Sequence, residues 1–389
     1  MIHVEQAKAW ALQYQTALVG QTSLLRSLRD LALIHRSHGK YKDSEDLYSL
    51  VLNSFLSQPG SSAFEVAVTK DGLARVKSFQ GQYTEAALLF EDAKPVILDQ
   101  LGPQSMEYLL LLSGLGNVRL GQGRLEDAIA LYKPSLHGFS QTEGSTGVEY
   151  AGVAACLSQV YKIQGKLKEA ETLSLVSVNI MLTRYGSMHP TTMKWKQVLA
   201  TILEEQGRLD EAKVMYEEVL EFRTQYIGEI HPSTLRTIYN LAGIHLLLGQ
   251  YSKAESLART CLIGRQATYD ADHTMILRSL EQLGEIMYKT GRYEEANTTL
   301  EGIREKFLSV HRSQPLAYFS SVEWLARTCI ARDELSRGKS LYQEVVQGYS
   351  DMLGVGHART KGASAALQDV LVRLFDEVAL GEDEEIVSL

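Results

Sequence analysis

Apolar and small residues recur along most of the chain with a period of 42 residues. In each copy a leucine precedes a small residue, and a glycine follows that leucine after eight residues. Leu or Tyr stands two residues beyond the glycine and a small residue, usually alanine, five beyond it, as in GKLKEA at residues 165–170. Such glycines end helices, because they adopt positive φ without a steric penalty. The repeated position, occupied once by aspartate, is Gly39, Gly81, Gly123, Gly165, Gly207, Gly249, Gly291 and Asp333.

A second turn signal lies 21 residues after each of these positions and divides every copy into two helices. It is glycine in six copies, and Pro190 and Pro232 stand shortly after two of these glycines, where proline suits the first position of a helix. A single helical hairpin cannot cover its own apolar face, so the hairpins must stack. The sequence therefore predicts an all-α fold, a right-handed α-solenoid of about eight antiparallel helical hairpins.

The ends of the chain lack the repeat marks, and this sets the predicted boundaries. We assign residues 1–20 to an N-terminal capping helix and residues 21–360 to the eight repeats. Residues 361–380 carry apolar residues at helical spacing and are predicted to form a C-terminal capping helix over the last hairpin. Residues 381–389 are predicted to be an acidic, disordered tail.

The leucine–small pair and the glycine turn resemble those of tetratricopeptide repeats. The 42-residue period and the Gly-x-x-His-Pro linkers at residues 186–190 and 228–232 are most similar to the kinesin-light-chain type. The resemblance covers roughly residues 21–375 and implies a fold that binds proteins or peptides. The asparagine pair of that family is reduced to Asn240, and its N-terminal heptad coiled coil is missing, so a motor subunit is not expected.

The predicted binding surface is the concave wall, which the first helices of stacked hairpins line. Positions 13, 10, 6 and 3 residues before the repeated glycine share one helical face. Lys194, Arg236 and Arg278 have the same register in consecutive repeats, which predicts a row of positive charge for an acidic peptide. Alternatively, these long side chains are simply solvated. The predicted peptide-binding residues are Asn117, Gln159, Lys162, Lys194, Gln197, Arg236, Tyr239 and Arg278.

Negative charge enters the same wall at Glu281, Glu285 and Glu323, so the predicted groove is bipolar and would fix the direction of a bound peptide. The chain of 389 residues has a net charge of −8, and residues 376–389 contain six acids without Lys or Arg. This tail is interpreted as a solvated end or, alternatively, as a ligand for the chain's own groove.

Composition and motifs exclude several classes of function. The lack of a basic excess argues against nucleic-acid binding. The longest apolar runs are too short to span a membrane and no signal-peptide pattern is found, so a cytoplasmic protein is expected. Its three cysteines, Cys156, Cys261 and Cys329, are expected to be reduced.

The candidate metal-binding and phosphate-binding motifs in the sequence are both rejected. His189, His231 and His273 share one register, but consecutive repeats are roughly 10 Å apart, too far to share a metal ion. They are interpreted as linker residues beside helix starts. Gly338-Lys339-Ser340 ends like a phosphate-binding loop, but Asp333 stands where that loop needs glycine. The sequence therefore predicts no enzyme, no metal and no cofactor.

The predicted function is a non-enzymatic scaffold that binds an extended, partly acidic peptide of another protein in the concave groove. The alternative is a ligand-binding or catalytic solenoid that acts on a small molecule in a pocket between repeats. A third possibility is a regulatory repeat module detached from a larger signalling protein. The partner and the oligomeric state do not follow from the sequence.

Overall fold

The computed structural model describes residues 22–142, 144–310 and 315–387, and this part of the chain contains seventeen helices and no strands. The first helices of the hairpins are α1 (Thr22–Ser37), α3 (Ala63–Phe79), α5 (Met106–Gly121), α7 (Val148–Ile163), α9 (Pro190–Glu205), α11 (Pro232–Leu247), α13 (Thr274–Lys289) and α15 (Pro315–Ala331). The second helices are α2 (Tyr41–Leu56), α4 (Tyr83–Leu101), α6 (Leu125–Thr142), α8 (Leu167–Tyr185), α10 (Leu209–Tyr226), α12 (Tyr251–Thr268), α14 (Tyr293–Val310) and α16 (Leu335–Leu353). A last helix, α17, spans Ala358–Val387.

The repeated glycine ends every first helix for which it was predicted. Gly165, between α7 and α8, has a φ of 74°, and its N–H donates to Lys162 O. The N–H of Lys166 reaches back to Tyr161 O, which closes the terminal turn of α7. Asp333 makes the equivalent turn with a φ of 65°. The turn chemistry of the repeat therefore determines where each first helix ends.

Three linker histidines cap the first helices that follow them. The Nδ1 atoms of His189, His231 and His273 each accept a hydrogen bond at 3.2 Å from the backbone N–H two residues later. An acceptor at this position satisfies a backbone N–H that the helix leaves free. The interpretation of these histidines as linker residues beside helix starts is confirmed.

The helices form two compact units, with α1–α9 in unit 1 (through Gln206) and α10–α17 in unit 2 (from Gly207). Within each unit, a second helix packs against the first helix of its own hairpin and that of the next. First helices of successive hairpins also contact one another directly, as α5 and α7 do in unit 1 and α11 and α13 in unit 2. The first helices of each unit therefore share one surface, which we call the first-helix face.

Small residues on the first helices make room for aromatic rings from the second helices. A Cβ atom at Gly72 would lie 2.3 Å from the Tyr48 ring, and one at Gly116 would lie 2.7 Å from the Tyr132 ring. Both tyrosines are buried. These glycines therefore allow the helices to approach closely, and the predicted α-solenoid of helical hairpins is confirmed.

The structure describes the predicted C-terminal capping helix but not the predicted N-terminal one. Residues 1–20, the predicted N-terminal capping helix, lie outside the described residues. Residues 361–380 lie within α17, whose Ala363 and Val370 are buried in the last core cluster. The backbone of α17 remains helical to Val387, into the segment 381–389 for which the sequence predicts disorder. That segment is rich in glutamate, a strong helix former, and has no proline to end the helix.

Candidate peptide-binding face

The predicted site residues of unit 1 take different positions on its first helices. Asn117 is exposed on α5 and accepts a hydrogen bond at 2.8 Å from the buried Tyr132 hydroxyl. Gln159 is half-buried on α7, and Lys162, also half-buried, forms an ion pair with Glu205 at 3.3 Å. These side chains lie along the first-helix face, but the charge of Lys162 is already partly compensated.

Helix α9 carries the remaining two predicted residues of unit 1. Lys194 is exposed, and its ammonium lies 4.4 Å from the centre of the Trp195 ring, a cation–π contact. Gln197, by contrast, is 4% exposed and lies within the packing. The structure thus offers Lys194, and not the Gln197 side chain, to a ligand.

Unit 2 brings two of its three predicted residues into contact. Arg278 is exposed on α13, with its guanidinium 5.7 Å from the centre of the half-buried Tyr239 ring on α11. Arg236 is exposed on α11, at the register that Arg278 has one repeat later. These residues place positive charge on the first-helix face in two consecutive repeats.

Two buried arginines on second helices add positive charge beneath this surface. They were not identified from the sequence. Arg265 on α12 is 4% exposed, and its Nη1 donates at 2.7 Å to Met275 O and to Ser279 Oγ. Its guanidinium lies 4.7 Å from the Tyr239 ring centre. Arg223 on α10 is equally buried.

The hydrogen bonds of Arg223 repeat those of Arg265 one repeat earlier. Its Nη1 donates to Ser233 O at 2.8 Å and to Thr237 Oγ1 at 2.6 Å. Alignment of the repeats would have revealed both arginines, because the other six repeats hold an apolar or aromatic residue at this register. These residues are Phe55, Ile97, Phe139, Met181, Phe307 and Tyr349.

Burial and like charge both act on these arginines. Burial and, to a lesser extent, the nearby charge of Arg236 lower the pKa of Arg223 to about 10. Burial also lowers the pKa of Arg265, with the Arg278 charge contributing. Within the described part of the chain, no carboxylate lies within ion-pair distance of Arg265 or Arg278. The region around Tyr239 therefore gathers two guanidinium groups, and the Glu281 carboxylate on α13 offsets part of their charge.

Two of the predicted carboxylates, Glu281 and Glu285, lie on α13 with Arg278, and Glu323 lies on α15. Ser320 Oγ donates to Glu281, and Tyr349 Oη donates to Glu323 at 3.1 Å. Burial and the neighbouring Glu281 together raise the pKa of Glu285 to about 7. The first-helix face of unit 2 is therefore positive on α11, mixed on α13 and acidic at Glu323 on α15.

Arginines near the start of the repeats differ from those of unit 2, because carboxylates already neutralise them. Arg26 and Arg29 both bind Glu65, at 2.5 and 2.7 Å. Arg75 donates from two nitrogens to the two oxygens of Asp71, at 2.8 and 3.0 Å. In unit 2, by contrast, the exposed Arg278 has no carboxylate within ion-pair distance among the described residues.

A cavity of about 800 Å³ lies in unit 1, where the turn before α7 meets α8. Its lining combines polar and apolar surface and is open to solvent, unlike the enclosed apolar pockets that small molecules usually occupy. The lining residues are Thr146, Gly147, Val148, Glu149, Asn179, Ile180, Thr183 and Arg184.

Among the described residues, no group of three or more His, Cys, Asp or Glu side chains is placed to hold a metal ion. No described helix is long and apolar enough to cross a membrane.

A family model for the tetratricopeptide repeat matches residues 65–141, 190–262 and 233–301. These matches coincide with the helical hairpins and their 42-residue period. The matched segments are tetratricopeptide repeats. The kinesin-light-chain-like type stays a prediction from the 42-residue period and the His-Pro linkers. No curated protein matches the chain.

Several solved tetratricopeptide-like structures are similar to this chain. A putative kinesin light chain with nearly identical repeats, from Podosopora anserina, is 24% identical over 51% of this chain and 94% of its own, with a TM-score of 0.44. A Rap protein complexed with competence and sporulation factor is 13% identical over 90% of this chain and 98% of its own, with a TM-score of 0.60. NprR in complex with its cognate peptide NprX is 14% identical over 90% and 98%, also with a TM-score of 0.60. At these identities the likeness concerns the fold alone.

Proposed function

We propose that the protein is a non-enzymatic scaffold that binds an extended, partly acidic peptide segment of another protein along its first-helix face. The observation that carries this proposal is the exposed Arg278 beside Tyr239, without a carboxylate partner in the described residues. Arg236 repeats the same register one hairpin earlier. Cations held at a regular interval on a shared surface suit an extended chain that carries acidic side chains.

Two of the similar structures agree with this kind of ligand. NprR is described in complex with a cognate peptide, and the Rap protein in complex with competence and sporulation factor. Since those likenesses concern the fold, they support binding along the repeats without indicating which peptide this chain binds. In the proposal, the first-helix face of unit 1 contacts the peptide through Lys194, Asn117, Gln159 and Lys162. Gln197 supports this surface from within the packing.

The proposal includes a cytoplasmic location. The three cysteines are free, and the two buried ones contribute to helix packing, an arrangement suited to a reducing compartment. The small-molecule alternative receives less support, because the 800 Å³ cavity of unit 1 is open to solvent, whereas small-molecule pockets are usually enclosed.

Selection from a random peptide library on the purified protein tests the proposal. We expect enrichment of Asp and Glu, and binding of a selected peptide is then measured by fluorescence anisotropy. The variant Lys194→Glu/Arg236→Glu/Arg278→Glu should weaken that binding by about tenfold or more, since it places like charge against the peptide.

A matched control changes the same number of charges on second helices. Lys133, Lys168 and Lys253 are exposed there, and their triple replacement by Glu should leave the peptide affinity within about twofold of wild type. Circular dichroism verifies that both variants fold. Selection that enriches no acidic residue, or equal loss of affinity in both variants, would refute the proposal.

A further inference from the structure

Two guanidinium groups from different helices lie against one tyrosine ring in unit 2. The Arg265 guanidinium is 4.7 Å and the Arg278 guanidinium 5.7 Å from the centre of the Tyr239 ring. Cations placed this close repel each other, and burial strengthens the repulsion because water screens it less. An arrangement of this kind is stabilised when an anion binds to it.

Arg265 is held in place and still has hydrogen-bond donors available. Its Nη1 atom is fixed by Met275 O and Ser279 Oγ, whereas its Nε and Nη2 atoms make no hydrogen bond within the described residues. Holding a guanidinium rigid lowers the entropy lost when a ligand binds to it. The side chain is 4% exposed, so its remaining donors are preorganised and little screened by water.

Part of this construction, a fixed and buried arginine followed by an exposed one, occurs one repeat earlier. Arg223 is buried on α10 and fixed by Ser233 O and Thr237 Oγ1, and the exposed Arg236 follows on α11. Arg223 and Arg236 have the registers of Arg265 and Arg278. Each pair thus combines a fixed, buried guanidinium with an exposed one.

We propose that each arginine pair binds one phosphate monoester carried by a side chain of the partner peptide. This rests on the proposed peptide-binding function and specifies the chemistry of the peptide. A phosphorylated side chain carries a charge of about −1.5 to −2 at neutral pH, which matches two guanidinium groups better than the single charge of a carboxylate does. Guanidinium also donates paired hydrogen bonds to phosphate oxygens.

The repeat geometry predicts the spacing of the two phosphates. Helices α11 and α13 contact each other directly, so the two arginine pairs are separated by about one helix-packing distance, roughly 10 Å. An extended peptide advances by about 3.3 Å per residue. The phosphorylated residues should therefore be about three positions apart.

Fluorescence anisotropy with short labelled Gly/Ser peptides tests this inference. One peptide carries two phosphoserines three positions apart, a second carries them at adjacent positions, a third has glutamate at the first peptide's two positions, and a fourth is unmodified. We expect the first to bind about tenfold more tightly than each of the others.

Variants assign the binding to the arginines. Arg278→Gln removes an exposed guanidinium, and Arg265→Met introduces the residue type found at the same register in Met181. Each should lower the affinity for the first peptide by about tenfold. Arg259→Gln is the control, since Arg259 is exposed on the same helix as Arg265 and pairs with Glu255 at 2.7 Å. Its affinity should stay within about twofold of wild type.

The outcomes separate this inference from the proposed function. Glutamate binding as tight as phosphoserine binding, or equal affinity for both phosphoserine spacings, would overturn the phosphate sites while leaving the acidic-peptide function in place. Failure of all four peptides, together with failure of the library selection, would overturn both. If Arg265→Met misfolds, the exposed Arg278→Gln variant decides the result alone.

Discussion

Asp333 occupies the turn position that glycine fills in the other seven repeats. Its φ of 65° makes it the sole non-glycine residue with a positive φ in the described part of the chain. A left-handed conformation costs an L-residue roughly 1–2 kcal/mol, although aspartate tolerates it better than most. The partner of its side chain is Arg373, at 3.3 Å, and both side chains are well exposed, so the ion pair compensates little.

Asp333→Gly should therefore raise the free energy of unfolding by about 0.5–1 kcal/mol, as measured by urea denaturation. Glycine relieves the strain, while its greater freedom in the unfolded chain offsets part of the gain. The matched control is Gly291→Asp in the preceding repeat, where no heavy atom lies within 4 Å of the added Cβ. It should lower the free energy of unfolding by a similar amount. A destabilised Asp333→Gly variant would contradict this account.

At the scale of helix pairs, packing against an aromatic ring has a larger effect on residue choice than helix propensity does. Gly116 lies in the middle of α5, where glycine costs about 1 kcal/mol relative to alanine. A Cβ there would lie 2.7 Å from the buried Tyr132 ring. Gly152, in α7, has no such neighbour within 4 Å.

These two glycines should consequently respond to alanine in opposite directions. Gly116→Ala should lower the free energy of unfolding by about 1–3 kcal/mol, because the ring must move within a packed core. Gly152→Ala should raise it by about 0.5–1 kcal/mol through helix propensity. Thermal and urea denaturation of the two variants measure both effects. Stabilisation by both substitutions would show that the space around Tyr132 adjusts freely.

The helix boundaries were predictable from sequence where a glycine turn determines the backbone conformation. Glycine turns such as Gly165 and the Leu–small pairs locate both helices of each hairpin, because they report positive φ and close packing directly. Arg223 and Arg265 were missed for a different reason. Their register is apolar in the other repeats, and only the packed structure shows that a guanidinium there reaches carbonyl and hydroxyl oxygens of the next first helix.

Among the predicted site residues, the sequence pattern identified a shared helical face but not the accessibility of each side chain. Gln197 has the register of Tyr239, yet it is buried, whereas Lys194 beside it is exposed. Lys162 has the right position, but it is paired with Glu205. Accessibility and ion pairing depend on neighbours that lie far away along the sequence, so periodicity alone does not reveal them.

At the scale of the whole molecule, the cost of gathering like charges appears as a dependence of stability on pH. Burial raises the pKa of Glu285 to about 7, with Glu281 adding to the rise, whereas the unfolded value is about 4.5. Between these values the folded protein holds a proton that the unfolded chain has released. Stability must therefore fall as the pH rises from about 4.5 to 7, and the loss is complete above pH 7.

Glu285→Gln removes this titration, so the variant should match wild type near pH 5 and exceed its free energy of unfolding near pH 8 by about 1–3 kcal/mol. Urea denaturation at a series of pH values measures the difference. Glu305→Gln, which changes an exposed carboxylate on α14, should give a curve parallel to wild type. Parallel curves for Glu285→Gln as well would mean that the carboxylates of this face are solvated when folded. Glu285 would then be fully ionised at neutral pH and would contribute its whole negative charge to unit 2.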